Sequence, residues 1–452
     1  MFARVLCALL LVAPCTFAQS AGNDQPPADQ LKMVVILTRH GVRSPLSVRT
    51  VQDPWPENQQ DWSVVYPGDL TPAGEELVRL MGAYYHEYYS HRGLLPRNCP
   101  AKEVSIWADN EERTVQTGRE LAQGLAGRSS GCNISVNFQR PYSPCTLSED
   151  KNSCQRPSSN DQLFHPLSSS DDAAGLQAIA DDINSRYSDL LKQYRKPFAD
   201  LKATLCPAKG DCLPLDCPSQ PQAQCAYYSS KDKKLHWDGP FNVGSTASEI
   251  FLLEYANGLP CAKVGWGRVT FNTPNKDLNC SSTGQLFRQM QEIHTAYFQE
   301  TQRALYIAAI QSIPLVVKIA DKLDKAMQPK PPAERLVIFS GHDTNIANVA
   351  ALLGLSWKLP DLPDNDTPPA GALVFELYKD SQTDTYWLQA RYVYQLLEQL
   401  RTKAVLTLDQ PPKWIELTFP GCESKCRYDV FKNSVVQPAL HKQFSPPRPQ
   451  TK

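Results

Sequence analysis

Residues 33–45 read MVVILTRHGVRSP. The segment opens with a run of apolar, mostly branched residues, without the polar alternation of a half-solvated strand. A strand buried on both faces of a parallel sheet needs that pattern. The loop that follows crowds Arg39, His40 and Arg43 into a few positions. The same grammar recurs twice. Residues 104–108 (VSIWA) lead into a charged segment, 109–113, and a helix to about residue 125. Residues 336–339 (LVIF) lead into SGHDTN at 340–345 and a helix over 346–353. In an open α/β sheet such loops gather at the carboxyl ends of the strands, where ligands bind. The three loops would bring together Arg39, His40 and Arg43; Arg113; and His342 and Asp343.

That set suits a phosphate dianion. Guanidinium forks match its oxygens in pairs, and the helix starts after the second and third loops add backbone N–H donors. Hydrolysis of a phosphomonoester then needs a nucleophile in line with the leaving oxygen and an acid for the departing alkoxide. His40 is the candidate nucleophile, kept neutral by its arginine neighbours. Asp343 is the candidate acid, with burial expected to raise its pKa. Blander roles exist for the same side chains. Arg113 could pair with Glu111 or Glu112, and His342 with Asp343 could simply cap a helix.

The rest of the 452-residue chain bounds the setting. With 46 Lys and Arg against 47 Asp and Glu, the chain lacks the basic excess of a nucleic-acid or membrane-coating protein, so any anion site must be local. Residues 1–18 have Arg4 near the start, an apolar run and a small-x-small end, the pattern of a secretory signal peptide. Its apolar run is too short to span a bilayer, and residues 305–319 are broken by Gln311, Pro314 and Lys318, so no membrane span is expected. Of the 14 cysteines, Cys7 and Cys15 fall in the leader, and the even remainder suits disulfides in an oxidising compartment. Spacing suggests Cys99 with Cys132, Cys145 with Cys154, Cys261 with Cys280 and Cys422 with Cys426, and leaves Cys206, Cys212, Cys217 and Cys225 undetermined. No C-x-x-C occurs, which argues against a zinc module.

Residues 71–89 read as a helix with Pro72 at its start. From 141 to 240 the chain turns rich in Cys, Pro, Ser and Asp, with a helical stretch over 173–195, and 245–256 and 285–310 also read as helices. Residues 328–333 read as a linker, and 373–378 and 387–394 as antiparallel strands at the sheet edge. The expected architecture is α/β. A mixed, mostly parallel sheet flanked by helices (30–140 and 331–432) carries an inserted, helical, disulfide-stapled cap (141–330), and 433–452 form a tail.

Arg39-His40-Gly41-Val42-Arg43-Ser44-Pro45 resembles the R-H-G-x-R-x-P signature of the histidine acid phosphatases, and His342-Asp343 resembles their second motif. Residues 69–74 (DLTPAG), 109–114 (DNEERT), 249–253 (EIFLL), 265–268 (GWGR) and 368–376 (PPAGALVFE) extend the likeness toward secreted bacterial phytases and glucose-1-phosphatases. The resemblance implies a phosphohistidine at His40, Asp343 as proton donor, a helical cap, and no metal or cofactor. Glu249 resembles an acidic residue near the site in phytases, and could equally lie on a solvated helix face. Phytases of this kind carry Thr-Lys after the motif's proline where this chain has Leu46-Ser47, which weakens the phytate reading and leaves room for simpler sugar phosphates, whereas Gly41 matches the phytase form. The expected partners are small phosphomonoesters, phytate or sugar phosphates, acted on by an exported monomer. Two other classes compete. A non-catalytic phosphate-binding protein would lack His40 or Asp343, and a phosphoglycerate-mutase-like transferase would have neither leader nor cap.

Overall fold

A computed structural model of the chain describes residues 29–46, 62–64, 66–127, 131–139, 161–166, 168–169, 172–206, 213, 215–217, 225–422 and 425–441. The expected leader and the Cys145–Cys154 pair lie outside them. In chain order, strand β1 (Gln30–Arg39) is followed by helix α1 (Pro72–His91), β2 (Val104–Ala108), α2 (Glu112–Ala126) and β3 (Val136–Asn137). Helices α3 (Ala173–Gln193) and α4 (Arg195–Leu205) then lead to a hairpin, β4 (Ala226–Ser229) and β5 (Lys234–Trp237), and helix α5 (Pro240–Ala256). The short strands β6 (Val269–Thr270) and β7 (Gln285–Leu286) precede α6 (Phe287–Thr301) and α7 (Leu305–Ala326). The chain returns through β8 (Leu336–Gly341), α8 (Asp343–Leu352), β9 (Ala372–Lys379), β10 (Tyr386–Tyr394), β11 (Lys413–Leu417) and β12 (Cys426–Arg427).

One mixed sheet runs β11-β10-β9-β1-β8-β2-β3, with β12 also on β10. Strands β1, β8, β2 and β3 pair in parallel, and β9 to β12 add antiparallel ladders. β1 lies in the middle, which explains its unbroken apolar run. Met33, Val35 and Leu37 face a core that includes Leu315 and Ile319 of α7 and Ile346 and Val349 of α8. Val34 and Ile36 face the opposite core, with Val78 and Met81 of α1 and Leu121 and Leu125 of α2.

Two expectations need correcting. β9 and β10 are not the sheet edge. β9 sits between β1 and β10, and the half-exposed β11, whose charged KWIEL sequence hides its strand character, closes that side. The helix expected over 285–310 breaks after Thr301 and resumes at Leu305, because two apolar faces are needed against different neighbours. α6 packs on α5, whereas α7 packs along α8 and against β1. Described disulfides join Cys99–Cys132, Cys217–Cys225, Cys261–Cys280 and Cys422–Cys426, and Cys206 is bonded as well.

Register sets the site. Across the parallel ladders Arg39 stands opposite Gly341 and Ala108 opposite Ser340, so β1, β8 and β2 end at one level. The His40 N–H donates to the Gly341 carbonyl at 2.9 Å, and the Asp109 N–H to the Ser340 carbonyl at 3.0 Å. Helix α1 buttresses the first loop. Thr71 caps it by accepting from the Gly74 N–H at 3.0 Å. A Cβ at Gly74 would stand 2.1 Å from the Val42 carbonyl oxygen, a backbone atom that cannot step aside. Gly74→Ala is therefore expected to cost about 1–3 kcal/mol, as overpacking does, and to lower kcat by displacing the loop. Thermal denaturation and aryl phosphate turnover check both effects.

Candidate active site

His40, the first residue beyond β1, is buried. Its Nδ1 lies 2.8 Å from the Gly41 carbonyl oxygen. A carbonyl only accepts, so Nδ1 carries the proton and Nε2 keeps its lone pair. Burial, then the charges of Arg113, Arg39 and Arg43, hold the imidazole well below its ordinary pKa. The expectation gave that task to the guanidiniums. Burial outranks them.

Arg39 is fully buried on the last position of β1. Its guanidinium pairs with Glu249 from α5 and, at 3.0 Å, with Asp343. It also donates to the Thr367 carbonyl. Arg43 donates to the Ser44 carbonyl at 3.0 Å and lies 3.5 Å from Glu249. Arg113, in the first turn of α2, pairs with Glu111 and places Nη2 3.5 Å from His342 Nδ1. The ion pair foreseen as its alternative role thus coexists with a place in the cluster. The Nε atoms of Arg39, Arg43 and Arg113 are buried without a hydrogen-bond acceptor among the described residues. Buried donors without acceptors are costly, and an anion among them removes that cost. Burial together with Arg113 and Arg39 lowers Arg43 to about 10, against the pull of Glu249.

His342, not Asp343, stands at the N-cap of α8, and its imidazole is turned to Asp109. Its backbone N–H donates to Asn345 Oδ1 at 2.9 Å, and its Nε2 lies 2.7 Å from Asp109 Oδ2. Its ring stands edge-on to that of His40, with centroids 5.6 Å apart. Asp343, at the first position of α8, contradicts the expected rise in pKa. Burial pushes its carboxyl up, but Arg39 at 3.0 Å, then His294 and Arg43, outweigh that and hold it at about 2. Glu249 is buried facing the arginines, so the solvated-face alternative fails.

Sequence inspection missed several neighbours. Asp109, fully buried at the end of β2, accepts from both His342 and His165. His165 lies beside this pair, its ring centroid 5.1 Å from that of His342. Asp109 stood within a segment noted for Arg113, but its partners are distant in sequence. Asp109, Glu111, His165 and His342 are a set that could hold a metal ion. On the opposite side, beside Asp343, a pocket is lined by Leu46, Thr246, Ile250, His294 and Phe298, with Arg43 and Glu249. His294, whose Nδ1 lies 2.9 Å from Ser245 Oγ, lines this pocket. Asp366 sits behind it, pushed up to about 6 by burial.

Residues 30–394 match the histidine phosphatase superfamily, branch 2. The chain is 32% identical to a phytase of Escherichia coli K12, over 92% of both chains. It is 27% identical to a glucose-1-phosphatase of Salmonella typhimurium, over 93% of this chain and 96% of that one. Among solved structures, the tartrate complex of Hafnia alvei phytase aligns with a TM-score of 0.73 at 32% identity, over 92% of this chain and 98% of that one.

Proposed function

We propose, since the chain belongs to branch 2 of the histidine phosphatase superfamily and is a hydrolase of the acid phosphatase type, that it hydrolyses phytate through a phosphohistidine on His40. The observation that carries the chemistry is the convergence of a neutral His40 with three guanidiniums whose Nε donors lack acceptors. Arg39, Arg43 and Arg113, with His342, hold the phosphoryl oxygens. The His40 Nε2 lone pair attacks phosphorus, the ester P–O bond breaks, and Asp343 gives its proton to the departing alkoxide. Water then attacks phosphorus, the P–N bond breaks to return the lone pair to His40 Nε2 and release inorganic phosphate, and the Asp343 carboxylate takes the water's proton. Glu249 holds Arg39 and Arg43 in place between turnovers.

Asp343 at about 2 is a carboxylate in the free protein. A phosphate between Arg39 and Arg43 offsets the charges that hold it down, so Asp343 becomes protonated once the substrate is bound. Export is part of the proposal. The disulfides support an oxidising compartment. No single helix among the described residues is long and apolar enough to cross a membrane.

A second substrate has a specific observation in its favour. The pocket beside Asp343 has an apolar wall of Leu46, Ile250 and Phe298 and carries Glu249, with Arg43 as its one Lys or Arg among the described lining residues. A neutral sugar fits such a wall better than a ring bearing further phosphates. Comparing kcat/KM for phytate and glucose 1-phosphate at acidic pH decides. Phytate is expected to be preferred by about tenfold or more, a difference of about 1.4 kcal/mol in transition-state binding. The reverse order assigns the sugar phosphate.

A further inference from the structure

We propose that Asp109, Glu111, His165 and His342 form a binding site for a borderline-soft divalent cation of the zinc class, beside the phosphate cradle and not required for hydrolysis. One ligand-type atom from each of the four lies within 4.8 Å of all the others. Two imidazole Nε2 atoms converge on a single oxygen, Asp109 Oδ2, at 2.7 Å from His342 and 2.9 Å from His165. Two imidazole N–H groups aimed at one carboxylate oxygen already enclose a common point. A divalent ion at that point replaces the two protons and takes the oxygen as its third ligand, and Glu111 is within reach as the fourth. Two nitrogens and two carboxylate oxygens are ligands that zinc accepts. With bonds of about 2.0–2.2 Å its tetrahedral ligands stand roughly 3.3 Å apart, so the pairs need to open by only about half an ångström.

The ligands are oriented by their surroundings, as metal ligands are. The other oxygen of Asp109 accepts from the Asn110 N–H at 2.8 Å. The His342 backbone is tied to Asn345 Oδ1, and the Asn345 side chain donates to the Phe164 carbonyl at 2.7 Å. The turn that carries His165 is thereby fastened to the start of α8. The site is also reachable. The His165 side chain is 29% exposed and lines a cavity together with Thr344 and Asn345.

Binding has a consequence for the neighbouring chemistry, which rests on the proposed phosphatase role. Glu111 leaves Arg113 for the ion, and the His342 ring moves about half an ångström away from Asp109 Oδ2 and is held there. Both changes disturb the phosphate cradle, so an occupied site slows turnover.

The test uses the full chain, stripped with EDTA and desalted into phosphate-free buffer. Calorimetric titration with zinc chloride is expected to show one site per chain. His165→Asn is expected to weaken it by at least about tenfold. With a chromogenic aryl phosphate in EDTA, His165→Asn should turn over like the parent. Zinc should inhibit the parent at concentrations that leave the variant active. No stoichiometric binding by the parent, or equal affinity in His165→Asn, overturns the proposal. If the variant fails to fold, zinc protection of His165 against diethyl pyrocarbonate in the parent, read by mass spectrometry, takes its place. Unprotected His165 then overturns it. Binding in the variant assay and hydrolysis by the parent are separate readouts, so failure of the cation site and failure of the phosphatase role are distinguishable.

Discussion

His40→Ala is expected to lower turnover of an aryl phosphate by at least about 10⁴-fold while inorganic phosphate still binds. The two halves of this result come from different parts of the site. The loss follows because Nδ1 of His40 is held by the Gly41 carbonyl, leaving Nε2 as the free lone pair under the charges of the three arginines, and alanine offers no replacement. An aryl leaving group departs without an acid, so the assay isolates the nucleophile from Asp343. The retained affinity follows because Arg39, Arg43 and Arg113 hold the anion with their own N–H groups. None of them has His40 as a hydrogen-bond partner. The His40 side chain makes one described hydrogen bond, to the Gly41 carbonyl of its own loop. Removing it leaves β1 and its ladders to β8 and β9 intact. Calorimetry with phosphate and a stopped aryl phosphate assay on the same sample check the pair. Turnover at the parent rate would remove the phosphohistidine route. Loss of phosphate binding along with turnover would make His40 a structural residue. A parent chain that binds phosphate and hydrolyses nothing would instead be a binding protein.

The parts of this site that could be read from sequence are those whose partners are near in the chain or fixed by strand order. The apolar run at 33–37, repeated in kind at 104–108 and 336–339, announces buried parallel strands. Their parallel register then carries Arg39, Asp109 and His342 to one level of the sheet. Charge balance between distant segments was not legible. Asp343 looked like a buried acid with a raised pKa, because burial can be inferred from an apolar neighbourhood. The distance of 3.0 Å to Arg39 cannot be inferred that way, and that distance reverses the sign. Glu249 was ambiguous for the same reason. Helix α5 is apolar nearly all round, so no hydrophobic stripe marks which side faces solvent. His165 and Asp109 are 56 positions apart and His342 and Asp109 are 233, and no spacing rule links residues over such intervals. Strand β11 was hidden because an exposed edge strand tolerates Lys413 and Glu416, which break the apolar pattern.

Asp343→Asn separates substrates by their leaving groups. For phytate or glucose 1-phosphate, whose alkoxides leave poorly, kcat is expected to fall by about 10²- to 10⁴-fold, the usual worth of a positioned general acid. For an aryl phosphate the fall should stay below about tenfold, since a phenoxide leaves unaided. Asparagine keeps the volume and can still accept from Arg39, so the arginine cradle is preserved better than by alanine. Equal losses on both esters would make Asp343 a structural anchor for Arg39. The pH dependence supplies an independent check, and its sign follows from the depressed carboxyl. With a free-protein pKa of about 2 against an ordinary 3.8, the Arg39–Asp343 pair contributes stability above the ordinary value, and loses it as pH falls through about 2. At pH 4–5 the pair is therefore intact and Asp343 holds no proton of its own. The proton for the alkoxide must then arrive with the substrate, whose phosphate monoanion gives up its last proton near pH 6. Parent kcat/KM on alkyl esters should accordingly decline above about pH 6. The variant's aryl phosphate rate, which draws on no such proton, should depend on that ionisation far less. A parent profile on alkyl esters that stays level to pH 8 would mean that the leaving oxygen is protonated by some other group.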